Sequence, residues 1–241
     1  MWPRNMKLSI IIPAFNEQET ISEVVQRIYT TNFNLDFEVI IVNDGSTDST
    51  LEKITVMQKN HNHIKLVSYN QNRGKGYAVR RGIQHSTGEI IIIQDADLEY
   101  DPRQIPKLLE PILEKRTDIV YGSRFLMKGS RNWRIAHHYI GNRFLSFLGN
   151  VLYGYNLSDI ETCYKIFTKE VKESLALTLD DFGFEVEFLA NAWREGFRIV
   201  EMPISYEPRF WKQGKKINWK DGVKALKYMI RLRSKTRRNT K

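Results

Sequence analysis

Three acidic side chains follow an unbroken run of isoleucines, and they are the residues with the clearest chemical potential. Residues 90–93 are all Ile, and Asp95, Asp97 and Glu99 come soon after them. A short β-branched run of this kind is typical of a buried strand in a parallel sheet, and open α/β sheets bind ligands beyond the carboxyl ends of such strands. Side chains alternate along an extended chain, so Asp95 and Asp97 share a side and can bind one hard divalent cation. The spacing therefore predicts a metal site able to hold a diphosphate.

A second interpretation of this loop assigns its acids a structural role. Asp-x-Asp pairs are common by chance, and an acid before a proline often caps the first turn of a helix. Asp101 is the better candidate for that cap because it directly precedes Pro102. Asp95 and Asp97 then stay available for a ligand.

Polar and aromatic residues also follow the first two predicted strands. Phe15 and Glu17 come after residues 8–12, and Asp44 comes after residues 37–42. An aromatic ring can stack on a base, and a carboxylate can accept hydrogen bonds from the N–H edge of that base. Turn formation alone would explain Asp44 and its neighbours. Three acid-bearing loops at one sheet edge nevertheless favour a nucleotide site, although the sequence has neither a complete glycine-rich dinucleotide fingerprint nor a Gly-Lys-Ser/Thr phosphate loop.

The elements that must position these residues alternate along the first half of the chain. Predicted strands cover residues 8–12, 37–42, 64–69, 89–94 and 119–123, and predicted helices cover residues 19–30, 49–59, 75–85 and 102–114. Ser49 and Glu52 fit a capping box at the second helix. The second half is predicted to contain helices at 135–153 and 184–195 and strands at 162–167 and 198–202. The alternation predicts an α/β fold, a Rossmann-like doubly wound and mainly parallel sheet.

Composition agrees with one enzyme domain. A chain of 241 residues can form a single large α/β domain with an ample core. Its single cysteine, Cys163, excludes an internal disulfide and suits a buried, inert thiol in a reducing compartment. The chain opens without a signal-peptide pattern and contains no apolar stretch of about 18 residues, so we expect a cytoplasmic protein without a membrane span.

Positive charge is concentrated at the end of the chain. Residues 212–241 carry 12 Lys or Arg and one acid, whereas residues 1–211 carry 25 basic and 27 acidic side chains. We therefore predict a main domain at 1–211 and a basic C-terminal helix and tail at 212–241. Apolar residues at helical spacing give this helix a narrow apolar side, namely Val223, Leu226, Tyr228, Met229 and Ile230. Two placements stay open, a basic amphipathic helix on an anionic membrane surface or a helix packed on the core.

The motifs together resemble those of a known family. The matching segments are residues 11–17, 42–48, 72–78, 95–99, 122–124, 159–165 and 214–216. Their order closely resembles that of inverting nucleotide-sugar glycosyltransferases of GT-A fold, and most of all the polyprenyl-phosphate sugar synthases typified by dolichyl-phosphate mannose synthase. The resemblance covers nearly the whole chain and is more specific for the family than for the sugar.

The resemblance implies roles for the matched positions. The nucleoside would be held by Pro13, Phe15, Glu17, Val42 and Asp44. The predicted cofactor-binding set also includes Asp95, Ala96, Arg124, Arg209 and Lys215. Asp95, Asp97 and Glu99 would hold Mg²⁺ or Mn²⁺ on the donor diphosphate. Catalysis would depend on Asp97, Arg124 and Asp159. Dolichyl-phosphate mannose synthases usually have Tyr at the position of Phe15 and Gln at that of Glu99, but the stacking face and the oxygen ligand are retained.

The possible acceptors differ in the charge that they carry and in the residues that they require. Displacement of a nucleoside diphosphate requires cations, a role suited to the metal and Arg124. A phosphate acceptor is already anionic, so it requires a basic cradle and no general base. The basic residues available for that cradle are Arg131, Arg134, Arg209, Lys215 and Lys216. By resemblance, Asp159 would contact the donor sugar, and a base at Asp159 or Glu161 would instead indicate a hydroxyl acceptor.

Three functions are consistent with the sequence. The first is transfer of mannose or glucose from GDP-mannose or UDP-glucose to a polyprenyl phosphate by a protein peripheral to the cytosolic membrane face, with or without an integral-membrane partner. The second is glycosyl transfer to a saccharide hydroxyl. The third is nucleic-acid binding without catalysis, which the confinement of positive charge to the tail and the lack of a nucleic-acid motif argue against.

Overall fold

The computed structural model describes residues 6–127, 136–208 and 219–234 and confirms the predicted α/β fold. The strands are β1 (Lys7–Ala14), β2 (Asp36–Asp44), β3 (Ile64–Tyr69), β4 (Ile90–Ile93), β5 (Ile119–Ser123), β6 (Lys165–Thr168) and β7 (Ile199–Pro203). The helices are α1 (Ile21–Thr30), α2 (Thr50–Asn60), α3 (Lys75–His85), α4 (Ile105–Leu113), α5 (Ala136–Tyr153), α6 (Lys169–Ser174), α7 (Phe184–Glu195) and α8 (Trp219–Arg233), with a 3₁₀ turn at Pro102–Gln104 before α4.

The seven strands form one sheet in the order β3-β2-β1-β4-β6-β5-β7. All neighbouring pairs are parallel except those of β6, which runs antiparallel to β4 and β5. The chain builds from β1 to β3 on one side and then returns to β4 on the other side of β1. Ligands of doubly wound sheets bind at such a switch point, and the acidic loop leaves β4 there. The isoleucines of β4 are buried on both faces of the sheet, as the unbroken apolar run predicts.

Local capping differs from one prediction. The Ser49–Glu52 capping box is wrong because the Ser49 side chain makes no capping hydrogen bond. Asp48 takes that role, since its Oδ1 accepts from the backbone N of Thr50 at 3.0 Å. The other predicted cap is confirmed: Asp101 Oδ1 accepts from the backbone N of Arg103 at 3.0 Å, at the start of the 3₁₀ turn.

Helix α8 packs on the rest of the protein, which is the second of the two placements considered for it. Its inner face consists of Ala225, Met229 and Leu232, which are buried, while Val223 and Ile230 are exposed. The predicted apolar side is therefore wrong, because the buried face of α8 is rotated by part of a turn from it. The Tyr153 hydroxyl of α5 donates to the backbone O of Met229 at 3.0 Å. The predicted boundary between residues 211 and 212 lies outside the described residues and stays a prediction.

Replacing Met229 by alanine is expected to lower the free energy of unfolding by about 2–5 kcal/mol, because it empties a fully buried site between helices. Ile230→Ala on the same helix is the matched control, since that side chain is 61% exposed and should contribute little. Urea unfolding of both variants measures the difference. Equal stability of the two variants would contradict the packing of α8.

The described ranges contain no helix that has both the length and the apolar character required to cross a bilayer.

Candidate active site

A cavity of about 430 Å³ opens at the carboxyl ends of β1, β2 and β4 and brings most of the predicted site residues together. Its lining includes Pro13, Phe15, Glu17, Asp44, Asp95, Ala96, Asp97, Glu99 and Arg124. Two predicted residues lie elsewhere: Val42 is fully buried within β2, and Asp159 is fully buried beneath the cavity wall. Arg209 and Lys215 lie outside the described residues, as do Arg131, Arg134 and Lys216.

The loops after β1 and β2 are joined by Asn16. This residue has φ = 53°, in the left-handed region that asparagine tolerates better than most residues. Its Oδ1 accepts from the backbone N of Thr47 at 2.8 Å, and its own backbone N donates to Ser46 Oγ at 3.0 Å. The bond pair fixes the loop that carries Phe15 against the loop that follows Asp44. Asn16 is thus a positioning residue that the sequence analysis did not single out.

Asp44 anchors a third loop at the cavity. Its two carboxylate oxygens accept from the backbone N–H groups of Arg73 (2.9 Å) and Gly74 (2.8 Å). Gly74 has φ = 103°, and a Cβ there would lie 2.4 Å from the backbone O of Asp180, so glycine is required. Burial raises the pKa of Asp44, while these hydrogen bonds oppose the shift. Asp44 therefore orders the loop that leads into α3, in addition to lining the cavity.

Lys75, at the start of α3, pairs with the acidic loop. Its Nζ lies 2.7 Å from Asp95 Oδ1 and 3.9 Å from Glu185 Oε1. Burial disfavours the charge on Lys75, but these carboxylates hold its pKa well above the usual range. The lysine lies in a motif that the sequence analysis quoted without giving it a role. Its cation offsets the charge of Asp95 inside the cavity.

The other two acids of the loop also have partners. Asp97 Oδ1 accepts from the backbone N of Glu99 at 3.1 Å, and Glu99 Oε2 accepts from the Tyr206 hydroxyl at 2.8 Å. Across the described ranges, no group of three or more His, Cys, Asp or Glu is arranged to hold a metal by itself. The predicted set of Asp95, Asp97 and Glu99 is therefore not gathered into one ligand cluster, since Lys75 and Tyr206 bind its outer members. Its oxygen donors still fit Mg²⁺, which commonly binds one or two carboxylates and completes its shell with phosphate oxygens and water.

Arg124 and Asp159 form a bidentate ion pair at the wall of the cavity. Arg124 Nε and Nη2 donate to Asp159 Oδ2 and Oδ1 at 2.7 and 2.6 Å, and the backbone N of Arg124 donates to Oδ2 at 3.1 Å. Burial disfavours the guanidinium charge, but Asp159 raises the pKa of Arg124 well above its usual value. In the structure this carboxylate faces Arg124, and the contact of Asp159 with a donor sugar stays a prediction. Asp159 positions the arginine.

The amino-acid sequence of residues 9–175 matches the model of glycosyl transferase family 2. The chain belongs to this family.

Individual relatives agree with the assignment to family 2. The dolichol-phosphate mannosyltransferase of Pyrococcus furiosus is 29% identical over 235 residues, which cover 94% of this chain and 64% of that protein. The glycosyltransferase AglJ of Haloferax volcanii is 30% identical over 202 residues, which cover 83% of this chain and 63% of that protein. The chain thus spans less than two thirds of the length of either relative.

Solved structures agree with the fold. Glucosyl-3-phosphoglycerate synthase from Mycobacterium tuberculosis, in complex with Mn²⁺, UDP and glucosyl-3-phosphoglycerate, has a TM-score of 0.73 and 21% identity. The likeness covers 95% of this chain and 80% of that one. The GT-A fold and the glycosyltransferase family that the sequence motifs predict are both confirmed.

Glu161 is a further acid of the candidate site, and its environment is unusual. It lines the cavity, yet its Oε1 is buried without a hydrogen-bond partner among the described residues. Burial, reinforced by the charge of Glu185, raises the pKa of Glu161 to about 7. Glu185 itself contacts Lys165 in a buried ion pair. A carboxyl group that titrates near neutrality in a cavity can exchange a proton with a bound molecule.

The raised pKa predicts that Glu161 makes folding pH-dependent. Its carboxyl group binds a proton more readily in the folded chain than in the unfolded one, where its pKa is near 4.5. This contribution to the free energy of unfolding therefore falls as pH rises from about 4.5 to about 7, by a total on the order of 3 kcal/mol. Glu161→Gln should remove that slope and be more stable than wild type at pH 8.

Urea unfolding at pH 5 and pH 8 tests this expectation. Glu52→Gln, an exposed change on α2, is the matched control and should follow wild type. A Glu161→Gln variant whose stability has the same pH dependence as wild type would show that burial does not raise the pKa of this carboxyl group.

Proposed function

We propose that this family 2 protein is an inverting glycosyltransferase that moves a hexose from a nucleoside diphosphate sugar to a polyprenyl phosphate at the cytosolic face of a membrane. The observation that carries the proposal is the pairing of charges in one cavity. Arg124, clamped by the buried Asp159, lines the same cavity as Asp95 and Asp97. A departing nucleoside diphosphate requires both a fixed cation and carboxylates that can hold a metal.

The donor is assigned to the loops after β1, β2 and β4. Phe15 offers a ring for the base, and Glu17 and Asp44 line the cavity beside it. GDP-mannose and UDP-glucose are the donors considered. The first agrees with the name of the Pyrococcus furiosus relative, and the second with the UDP-glucose complex of the mycobacterial structure.

A divalent cation is assigned to the acidic loop. Asp97, together with Asp95 or Glu99, would hold Mg²⁺ or Mn²⁺, in agreement with the mycobacterial complexes, which contain either ion. When bound, the ion would stabilise the charge that develops on the leaving diphosphate. Lys75 must first share or release Asp95, since these two side chains are paired in the structure.

Transfer to a phosphate acceptor requires no general base, because the attacking oxygen is already anionic. A phosphate oxygen forms the bond to the anomeric carbon from one face, while the bond from that carbon to the diphosphate oxygen breaks on the other face. The electron pair leaves with the nucleoside diphosphate, which Arg124 and the cation stabilise. The basic residues proposed for the acceptor phosphate are Arg131, Arg134, Arg209, Lys215 and Lys216.

One observation favours a second candidate, transfer to a saccharide hydroxyl. Glu161 lines the cavity and has a pKa of about 7, which suits a base that accepts the hydroxyl proton. Glu161→Gln would then abolish transfer to a hydroxyl acceptor but leave transfer to a phosphate acceptor largely intact.

A donor and acceptor screen tests the proposal. Release of nucleoside diphosphate is measured from GDP-mannose and UDP-glucose, each with a short polyprenyl phosphate, the matching polyprenyl alcohol, or a free sugar. The expected result is release that depends on the phosphate and on Mg²⁺ or Mn²⁺. Release with a hydroxyl acceptor that requires Glu161 would replace the proposal with the second candidate, and release from neither donor would reject both.

A further inference from the structure

The solvent side of helix α5 carries a stripe of large apolar side chains. Ile140, Phe144, Phe147 and Val151 are 65%, 54%, 62% and 66% exposed. Their spacing of four, three and four residues places them on one face of the helix. We call these four residues the α5 stripe. Isolated exposed apolar residues are ordinary, but four large ones in a row indicate a surface that is covered in function.

The α5 stripe is not the side by which the helix packs on the protein. The buried side of α5 faces the core and consists of Leu145, Ser146, Gly149 and Tyr153. A Cβ added at Gly149 would lie 3.0 Å from the Ile160 side chain. The inner face of α5 is therefore already packed against the protein. The stripe contributes exposed apolar area that the fold of this chain does not require.

The surroundings of the α5 stripe favour an anionic partner. Within the described residues 136–158 there is no Asp or Glu, and the one Lys or Arg, Arg143, is exposed on α5. Helix α8 packs beside α5 and exposes Lys227, Ile230 and Arg231. Val151 at the end of the stripe lines a smaller cavity together with Arg233 of α8. A second copy of the chain would bring the same positive charges to the interface, which disfavours self-association through this face.

The α5 stripe is continuous with the candidate active site. Tyr139 and Asn142, at the start of the same helix, line the main cavity. Leu126 and Met127, two and three residues after Arg124, are also exposed. The apolar surface thus begins at the mouth of the cavity and extends along the helix away from it.

We propose that the α5 stripe docks this protein on an anionic lipid bilayer, with α5 lying in the plane of the headgroups and the cavity mouth at the lipid surface. Exposed aromatic and aliphatic side chains enter the acyl boundary, while Arg143 and the basic face of α8 meet anionic headgroups. The link to a lipid acceptor rests on the proposed function, but the docking surface rests on exposure and charge. It differs from an interaction through the basic tail alone because it requires apolar insertion by α5.

Vesicle cosedimentation tests the docking surface. The double variant Phe144→Gln/Phe147→Gln is compared with Leu51→Gln/Val56→Gln, which alters two exposed apolar residues of α2. Vesicles contain phosphatidylcholine with or without phosphatidylglycerol, at low and high salt, and circular dichroism verifies that both variants fold. The expected result is that wild type and the α2 variant bind anionic vesicles equally, while the α5 variant binds at least about tenfold more weakly at either salt concentration.

Several results would overturn the docking surface. These are equal binding by the α5 variant, absence of vesicle binding by wild type, and a wild-type dimer that the α5 variant converts to a monomer without any vesicle binding. The last result would assign the stripe to a second copy.

A separate readout concerns the proposed function. Nucleotide release with a short, water-soluble prenyl phosphate should be similar for wild type and the α5 variant, since that acceptor needs no bilayer. No release by wild type would reject the proposed function and leave the vesicle result to stand by itself.

Discussion

Replacing Asp97 by asparagine is expected to reduce glycosyl transfer to background while the protein stays folded. Asp97 lines the cavity after the buried strand β4, and its carboxylate is the proposed ligand of the divalent cation. An amide of the same shape removes the charge that holds a hard cation. Nucleotide release in the presence of donor, acceptor and Mg²⁺ or Mn²⁺ measures the loss, and a titration of Mn²⁺ should show weaker binding.

Asp101→Asn is the matched control for Asp97→Asn. Asp101 lies four residues further along the same segment and caps the turn at Pro102–Gln104, and asparagine caps as well as aspartate does. This variant should keep wild-type turnover. Wild-type turnover in excess EDTA, or near-normal rates from Asp97→Asn, would contradict the assigned role of the acidic loop.

Replacing Arg124 by methionine is expected to lower turnover about 100- to 1,000-fold, the usual loss for one well-placed charged donor at a developing charge. It should also destabilise the fold by about 3–5 kcal/mol, because Asp159 is left charged and buried without its partner. Turnover under saturating donor reports the first effect, and urea unfolding reports the second.

A double variant separates those two effects. Arg124→Met combined with Asp159→Asn removes the unpaired charge, so much of the lost stability should return while turnover stays low. Recovery of turnover together with stability would show that Arg124 acts through folding and not on the leaving group. Asp159→Asn alone should reduce turnover less than Arg124→Met, because the guanidinium remains but is less firmly oriented.

The sequence predicts the acidic loop well because a single strand determines it. Four consecutive isoleucines are typical of a strand buried on both faces of a sheet, and such a strand places Asp95 and Asp97 at the carboxyl edge of that sheet. The side-chain partners of that loop are not predicted. Lys75 reaches Asp95 from a different element, and this contact depends on how α3 packs against the sheet, which a local pattern does not determine.

The prediction for Asp159 illustrates a second limit. The family resemblance implies that Asp159 belongs to the site, but it does not give the direction of its side chain, because an irregular segment has no fixed side-chain period. The structure turns both carboxylate oxygens toward the guanidinium. A similar limit applies to α8, where helical periodicity is correct but the buried face is set by contacts with α5 and α7.

The reversed direction of β6 gives the candidate site a second source of side chains. Because β6 opposes its neighbours, with Lys165 paired to Tyr121 near the end of β5, the segment before β6 arrives at the edge that the parallel strands leave. The loops that follow the parallel strands carry the proposed donor residues, and the segment that leads into β6 carries Asp159 and Glu161. Under the proposed function, substitutions at 154–161 can therefore change the acceptor while the loops after β1, β2 and β4 stay as they are, provided that Asp159 is retained to orient Arg124 on the donor side.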